Sequence, residues 1–353
     1  MDPQVAVIGA GGWGTALSCL LAQRFRQVTL WARRPDFAEE LRQGRVNSVY
    51  LPGVRIPPQV RITADVEEAL AGAWVVVLAV PAQHLRSVVR MLLPVLRKKG
   101  AGAAVAQTGT PPYFVNVAKG LERKTMLRMS QVLASELPAA WHGHIASLSG
   151  PNHAEEVGRF LPAAAVIGSP SAETAAILQH LFSTPRFRVY TTSDLAGVEY
   201  GGALKNVIAL AAGISDGLQL GDNTRAALMT RGLAEMARLG LRLGARPETF
   251  AGLSGMGDLI VTCTSTHSRN ARTGRAIGAG KRLEEVLAGT PMVVEGVETA
   301  RAARELAARV GVEVPITEVV CRILFEGLPP SEGVGQLMER RFTQEAERND
   351  WRS

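Results

Sequence analysis

The chain has 353 residues, of which 46% are hydrophobic and 20% are charged. This balance excludes disorder, collagen and a small disulfide-stapled protein, and the length suits two domains with a core each. The three cysteines, Cys19, Cys263 and Cys321, form no CxxC pair, which predicts no disulfide framework or cysteine zinc site and fits a reducing cytoplasm. The longest purely aliphatic or aromatic run, 74–80, is far short of the roughly 20 residues that span a bilayer. The amino end enters a strand-like segment directly, so no signal peptide is predicted.

The net charge is +7, which a protein can use to bind nucleic acid, an anionic membrane or a phosphorylated small molecule, or simply to stay soluble. Aromatic residues make up only 5% of the chain, and they are not interleaved with basic residues as in single-strand-binding proteins. We therefore expect no nucleic-acid partner, and a phosphorylated small molecule stays open as a ligand.

The first part of the chain alternates strand-like and helix-like segments. Strands are predicted at 5–8, 28–31, 60–63, 74–80, 113–118, 144–148, 163–167 and 187–191, and helices at 15–25, 36–43, 66–71, 83–97, 126–135 and 172–181. This alternation is typical of a doubly wound parallel sheet, which is an α/β fold. From residue 194 onward the pattern is helical, with long windows at 195–214, 224–243 and 299–308.

The change of pattern predicts two domains, 1–192 and 193–353. No low-complexity linker, tandem repeat or heptad array separates them. We therefore expect a tightly packed unit that carries its ligand site between the two domains.

A glycine motif, Gly9-x-Gly11-x-x-Gly14, lies between the first predicted strand and the first predicted helix. The first glycine allows the tight turn, the second lets the backbone approach a pyrophosphate, and the third lets helix and strand pack closely. The amino end of the helix then faces the anion. The motif therefore predicts a dinucleotide site, with a plain glycine turn as the alternative.

The second strand indicates which coenzyme the site prefers. Folds selective for NAD place an acid about 20 residues past the glycine loop, but here Arg33 and Arg34 follow the strand and the first acid is Asp36. Two guanidinium groups suit a 2′-phosphate, so NADPH is expected to be preferred over NADH. The alternative is a pair of solvated loop arginines.

Six ordered motifs resemble one family of enzymes. They are Gly9-Ala-Gly-Gly-Trp13-Gly14-Thr-Ala, Ser149-Gly-Pro-Asn-His-Ala-Glu-Glu-Val157, Gly202-Ala-Leu-Lys205-Asn206, Gly255-Met-Gly-Asp258-Leu-Ile, Ser268-Arg269-Asn270 and Val294-Glu295-Gly296-Val297. From the first strand to about residue 325 the chain resembles the bacterial NAD(P)-dependent sn-glycerol-3-phosphate dehydrogenases. The resemblance implies an α/β Rossmann-type domain followed by an all-α carboxyl-terminal domain.

The resemblance also implies a function and a setting. Members of the family reduce dihydroxyacetone phosphate to sn-glycerol 3-phosphate for membrane lipid synthesis, using NADPH or NADH. A cytoplasmic homodimer is expected, with no membrane segment and no metal.

The residues of the third motif suit the chemistry of carbonyl reduction. Lys205 lies in an otherwise apolar helical segment, where a charged group must face a cleft or a partner. A lysine whose pKa is lowered toward the working pH can protonate the oxygen that gains charge as hydride arrives. The resemblance makes Lys205 the general acid and base and Asn206 a substrate contact; a surface lysine is the alternative.

Three further residues complete the expected catalytic set. Lys119 follows a predicted strand, where the carboxyl ends of parallel strands line the cleft, and the resemblance gives it contacts with both substrate and cofactor. Asp258 would orient the Lys205 ammonium and bind substrate, with a helix cap as the alternative. Thr262 follows Asp258 at i+4, so on a helix both side chains reach the same side.

The remaining motif residues are assigned to ligands by the resemblance. Ser268, Arg269 and Asn270 form the expected phosphate site, since a guanidinium binds phosphate through two parallel bonds. The substrate contacts expected from the second motif are Gly150 and Asn152, where many relatives have serine at the second position. The expected cofactor contacts are Gly9, Gly11, Gly12, Trp13, Gly14, Arg33, Arg34, Lys119, Ala154, Arg269, Val293 and Glu295. Glu295 needs a hydroxyl or amide partner, because a free carboxylate disfavours a phosphorylated cofactor.

Several alternatives stay open. The segment 99–113 is longer than in most relatives, which predicts an insertion near Lys119. His142-x-His144 has no partner at zinc-like spacing, so no metal site is expected.

Beta-hydroxyacid dehydrogenases are the nearest enzymatic alternative, but they separate the catalytic lysine and asparagine by four residues. A basic regulatory protein with a Rossmann-type shell would have lost the lysines or Asp258, and the chain keeps them.

Overall fold

The computed structural model describes residues 4–98, 111–290 and 292–341. The first part of the fold contains strands β1 Gln4–Ile8, β2 Val28–Trp31, β3 Val46–Asn47, β4 Leu51–Arg55, β5 Val60–Thr63, β6 Ala73–Leu78, β7 Tyr113–Asn116, β8 Ile145–Ser149, β9 Ala163–Gly168 and β10 Phe187–Thr192. The helices between them are α1 Gly12–Leu21, α2 Pro35–Gly44, α3 Val66–Leu70, α4 Leu85–Arg97, α5 Met129–Glu136, α6 Ala154–Gly158 and α7 Ala172–Phe182. Residues 99–110 of the predicted insertion lie outside the described residues.

Eight strands form one sheet in the order β10-β9-β8-β7-β6-β1-β2-β5. The chain moves outward from β1 through β2 to β5 and then returns to place β6 on the other side of β1. This reversal opens a crevice at the carboxyl ends of β1 and β6, where open α/β sheets bind ligands. The predicted Rossmann-type α/β fold is confirmed by this sheet and by the helical part that follows.

The sheet departs from the predicted parallel arrangement at one place, because β8 and β9 pair antiparallel. A parallel return needs a long crossover, usually through a full helix. Here the connection from Ser149 to Ala163 contains only the short helix α6. β8 is buried throughout and β9 is buried over its last four residues, and burial of this kind does not encode strand direction.

A small antiparallel hairpin, β3–β4, was not predicted. Only Val46 and Asn47 pair on its first strand, and Pro52 and Gly53 interrupt the second, so no alternating pattern marks it. The short helix α6 was also not predicted, and other differences include shifts of element ends. The helix predicted from residue 126 begins at Met129, because Met126 has a left-handed backbone with φ of 58°.

The second part of the fold is helical. Its helices are α8 Leu195–Gly217, α9 Gly221–Arg242, α10 Pro247–Phe250, α11 Asp258–Thr264, α12 Arg269–Gly278, α13 Leu283–Ala288, α14 Glu295–Val310, α15 Pro315–Phe325 and α16 Pro330–Met338, with a π-helical turn at Leu253–Gly257. None of the helices within the described ranges is long and apolar enough to cross a membrane.

Helix α8 is the centre of this part, and residues 197–215 are buried along it. It packs backbone to backbone against α12: a Cβ on Gly213 would overlap the carbonyl oxygen of Ala271, and one on Gly274 would overlap that of Leu210. This close approach brings the middle of α8 beside the first turn of α12. The candidate catalytic and phosphate-binding motifs therefore lie next to each other.

Candidate active site

A cavity of about 500 Å³ lies between the sheet and the helical part. Of the predicted site residues it is lined by Gly9, Gly11, Gly12, Trp13, Arg33, Arg34, Lys119, Asn152, Ala154, Lys205, Asn206, Asp258, Thr262, Ser268, Arg269, Asn270, Val293 and Glu295. Gly14 and Gly150 lie behind the lining and support it. The structure thus brings segments as far apart in the chain as Gly9 and Glu295 to a single crevice.

The glycine motif forms the floor of one end of this cavity. Gly9 has φ of +118°, and a Cβ there would lie 2.5 Å from the carbonyl oxygen of Ala79. A Cβ on Gly14 would overlap the carbonyl oxygen of Gly9, so the third glycine serves close packing. Gly11, by contrast, faces open space and begins α1 without a side-chain cap among the described residues. The helix amino end is therefore open to an anion, and the loop fits a pyrophosphate.

Arg33 and Arg34 lie at the outer edge of the same end, directly after β2. Both side chains are exposed, and the Arg34 guanidinium lies over the Phe37 ring at 5.2 Å. Phe37 in turn makes an edge contact with Tyr50 of the hairpin at 5.7 Å. The two aromatic rings were not predicted as site residues, although both line the cavity.

Two lysines and one aspartate form the centre of the cavity. The Nζ of Lys205 lies 2.8 Å from Oδ1 of Asp258 and donates to Oγ1 of Thr262 at 2.6 Å. The Nζ of Lys119 lies 2.7 Å from Oδ2 of the same aspartate and donates to the Gly150 carbonyl at 2.8 Å. One carboxylate therefore holds two ammonium groups. Lys205 is only 6% exposed, which excludes the surface-lysine alternative.

Burial and the charge cluster shift the proton affinities of this centre. The pKa of Lys205 is lowered from its usual 10.5 to about 8: burial is the largest cause, Asp258 opposes the shift, and Lys119 adds to it. Burial by itself raises the pKa of Asp258, but the two ammonium groups outweigh burial and hold that pKa below its usual value. The cluster therefore keeps an ionised aspartate beside a lysine that exchanges its proton near neutral pH.

The π-helical turn explains how Asp258 reaches the lysines. It directly precedes α11, in which Asp258 is the first residue. A Cβ on Gly255 would overlap the Phe250 carbonyl, and a Cβ on Gly201 of α8 would lie 2.7 Å from the carbonyl oxygen of Ser254. The glycines thus allow the turn to pack against α8. Asp258 bonds to the lysines, so it is not the helix cap considered as its alternative.

The predicted phosphate motif begins α12. Ser268 caps the helix, accepting a hydrogen bond from the Ala271 amide at 3.2 Å. Asn270 donates to Oδ1 of Asn206 at 2.9 Å, and Asn206 donates to the Lys119 carbonyl at 2.9 Å. Arg269 donates to the Val293 carbonyl at 3.0 Å, and no carboxylate of the described chain lies within ion-pair distance of it. Its charge is therefore available to an anionic ligand.

The other predicted contacts are placed around this centre. Gly150 supplies its carbonyl to Lys119, and Asn152 donates to the Ala164 carbonyl at 2.8 Å while its own Oδ1 is buried without a partner in the described residues. Oε1 of Glu295 accepts from the backbone amide of Ala82 at 3.0 Å. Oε2 of Glu295 is buried and has no partner within the described part, and burial raises the pKa of this carboxyl.

Comparison with known proteins identifies the family. The family profile described as NAD-dependent glycerol-3-phosphate dehydrogenase N-terminus matches residues 4–175, and the corresponding C-terminus profile matches residues 194–335. The chain belongs to the NAD-dependent glycerol-3-phosphate dehydrogenase family. Its members are oxidoreductases that use NAD or NADP, so the resemblance drawn from the motifs is confirmed.

Individual members of the glycerol-3-phosphate dehydrogenase family match over nearly their whole length. The chain is 54% identical to glycerol-3-phosphate dehydrogenase [NAD(P)+] of Moorella thermoacetica over 99% of this chain and 100% of that one. It is 53% identical to the Pelotomaculum thermopropionicum protein of the same name, over 98% and 96% of the two chains. The crystal structure of the Coxiella burnetii glycerol-3-phosphate dehydrogenase superposes with a TM-score of 0.87 and 36% identity, covering 96% of this chain and 99% of that one.

Sequence reasoning missed some residues that line the cavity of this family member. Tyr50 lies on the unpredicted hairpin, and Phe37 was assigned only to a helix. Arg272 lies three residues after Arg269 on α12, and that spacing was the signal that could have placed both on one helix face.

Proposed function

We propose that the chain catalyses the reversible NAD(P)H-dependent reduction of dihydroxyacetone phosphate to sn-glycerol 3-phosphate. The observation that carries this proposal is the buried Lys205–Asp258–Lys119 cluster, placed between the open glycine loop and Arg269. The names of the relatives described above support it. The reaction needs a coenzyme site, an acid and a phosphate site in one crevice. This crevice contains residues suited to each of the three.

The residues at the sheet end would hold the coenzyme. Gly11 and the amino end of α1 would bind its pyrophosphate, and Arg33 and Arg34 would bind the ribose 2′-phosphate. Val293, beside Arg269, would contact the nicotinamide end. When bound, the coenzyme supplies a hydride to the carbonyl carbon of the substrate. Glu295 would also contact the nicotinamide end, through the Oε2 that has no partner among the described residues.

The residues of the helical part would perform the proton transfer. Lys205 donates a proton to the substrate oxygen as negative charge develops on it, and takes one back in the reverse direction. Asp258 and Thr262 hold its Nζ by two hydrogen bonds, while Lys119 adds a second positive charge. Arg269 binds the phosphate, and Asn206 and Asn270, joined to each other, orient the remaining hydroxyl groups.

The proposal makes the reaction depend on pH in opposite senses for its two directions. The protonated Lys205 is the acid for reduction, and its pKa is about 8. We expect kcat for reduction to be level below about pH 8 and to fall about tenfold per unit above it, whereas kcat for oxidation rises up to about pH 8. Rate profiles in both directions between about pH 6.5 and 10 test this. Two profiles that bend in the same sense would contradict it.

The exposed arginines lead to a prediction about coenzyme preference. No acid at the end of β2 repels a 2′-phosphate, and Arg33 and Arg34 lie at the cavity edge. We expect kcat/KM to be higher with NADPH than with NADH, and the ratio to fall roughly tenfold in Arg33→Ala or Arg34→Ala. Exposed charge pairs are screened by salt, so the NADPH preference should also shrink at high ionic strength. If wild type prefers NADH, or if neither substitution lowers the NADPH to NADH ratio of kcat/KM, the arginines do not select the coenzyme.

A spectrophotometric assay tests the proposed function as a whole. The purified protein is given each reduced coenzyme with dihydroxyacetone phosphate, unphosphorylated dihydroxyacetone or succinic semialdehyde. Turnover confined to the phosphorylated ketone is the expected result. Preference for succinic semialdehyde would favour a beta-hydroxyacid dehydrogenase, and salt-sensitive DNA binding without turnover would favour a regulatory protein.

Four further expectations belong to the same proposal. The chain would divide into domains near residue 192, where β10 ends and α8 follows. It would act as a homodimer, which sedimentation at several concentrations tests. Its three cysteines are free and buried, which suits a reducing cytoplasm. The product would supply glycerophospholipid synthesis.

A further inference from the structure

The hairpin β3–β4 lies against the glycine loop through one buried asparagine. Asn47 is 0% exposed, and all of its side-chain bonds go to this region. Its Nδ2 donates to the carbonyl of Ala10 at 3.0 Å and to Oγ1 of Thr15 at 2.8 Å. Its Oδ1 accepts from the amide of Tyr50 at 3.0 Å. One side chain thus joins the glycine loop, the first turn of α1 and the hairpin.

The hairpin approaches the loop too closely for the contact to be incidental. A Cβ on Gly12 would lie 2.5 Å from the carbonyl oxygen of Tyr50. Ala10, Gly12 and Tyr50 all line the cavity. The glycine loop and the hairpin residue Tyr50 therefore constrain each other's position in the cavity wall. Asn47 is the polar side chain that connects them.

We propose that Asn47 is a positioning residue for the coenzyme site. It holds the Ala10 carbonyl turned into the protein, so that the amides of the following residues face the cavity and can bind a pyrophosphate. A buried carbonyl without its partner would turn toward another donor, because an unsatisfied buried acceptor is costly. This inference rests on the proposed function, since it assumes that a dinucleotide occupies the loop.

The test is equilibrium binding of coenzyme without substrate. Trp13 and Trp31 line the cavity, so their fluorescence reports NADPH and NADH binding directly. We expect Asn47→Ala to raise the Kd of both coenzymes at least about tenfold, because all three bonds are lost. The ratio of the two Kd values should stay unchanged, because the pyrophosphate is common to both coenzymes. At saturating coenzyme, kcat should change less than about threefold.

Thr174→Val is the matched control. Thr174 is also buried, and its hydroxyl donates to the Gly143 carbonyl at 2.7 Å, but it does not line the cavity. It should lower the melting temperature without changing either Kd. Thr15→Val removes only one bond of Asn47 and should raise both Kd values roughly threefold, so it tests the inference even if Asn47→Ala does not fold.

The outcomes separate this inference from the proposed function. If wild type binds coenzyme and Asn47→Ala or Thr15→Val binds it equally well, Asn47 serves stability alone and the inference is wrong. A loss confined to NADPH would assign the effect to the 2′-phosphate and also overturn it. A wild type that binds neither coenzyme would overturn the proposed function together with this inference.

Discussion

We expect Lys205→Ala to lower kcat for the reduction of dihydroxyacetone phosphate by about 10²- to 10⁴-fold, the usual contribution of a general acid. The lost group is the buried Nζ that lies 2.8 Å from Asp258 and 2.6 Å from Thr262. No water molecule in its place would combine a positive charge with a pKa of about 8. Steady-state rates at saturating coenzyme and substrate are the measurement.

The variant should still fold and bind coenzyme. Removing one partner of a buried ion pair is usually damaging because a charge is left alone, but here Lys119 remains 2.7 Å from Asp258. We therefore expect the Kd for NADPH to stay within about threefold of wild type. Lys124→Ala, an exposed lysine outside the cavity, is the control and should change neither quantity. Near-normal turnover in Lys205→Ala would exclude the lysine as the acid.

The second large effect is expected on substrate affinity. Arg269→Ala should raise the KM for dihydroxyacetone phosphate roughly 10- to 150-fold, because a charge-assisted bond to phosphate contributes about 1.5–3 kcal/mol. Arg269 already donates to the Val293 carbonyl, which holds the guanidinium at the cavity wall. KM and kcat are measured for both dihydroxyacetone phosphate and dihydroxyacetone.

The neutral ketone separates a phosphate effect from a general one. Wild type should use dihydroxyacetone poorly, and Arg269→Ala should lower its rate with this ketone far less than with the phosphorylated one. Arg275→Ala gives a matched control on the same helix, because Arg275 pairs with Asp216 at 3.1 Å and does not line the cavity. If wild type uses the two ketones equally well, Arg269 does not recognise phosphate.

Much of the architecture follows from local sequence signals. The buried strand, glycine motif and helix at residues 5–25 follow one another directly. Their order alone predicted a dinucleotide-binding loop. The direction of β9 was not predictable, because its short apolar sequence suits a strand that runs in either direction. The hairpin at Val46–Arg55 was missed because Pro52 and Gly53 interrupt its second strand, so no alternating pattern marks it.

The side-chain contacts of the site were also only partly predictable from the sequence. An apolar helix around Lys205 was enough to predict that this lysine faces a cleft. Asp258 was assigned as its partner through the family resemblance, because no spacing rule links residues so far apart in the chain. That the same carboxylate binds Lys119 depends on the π-helical turn and on close packing at Gly201, which are tertiary features. The pKa of Lys205 depends first on its burial and then on the charges of Asp258 and Lys119, so it could not be read from the sequence.

The glycine contacts between α8 and α12 have a consequence for motion. With backbones touching at Gly213 and Gly274, neither helix can slide or rotate against the other without steric overlap. Lys205 on α8 and Arg269 on α12, the proposed acid and the proposed phosphate ligand, therefore move as one rigid body. The distance between these two groups is therefore set by the packing of the two helices, and it does not depend on the ligands that occupy the crevice.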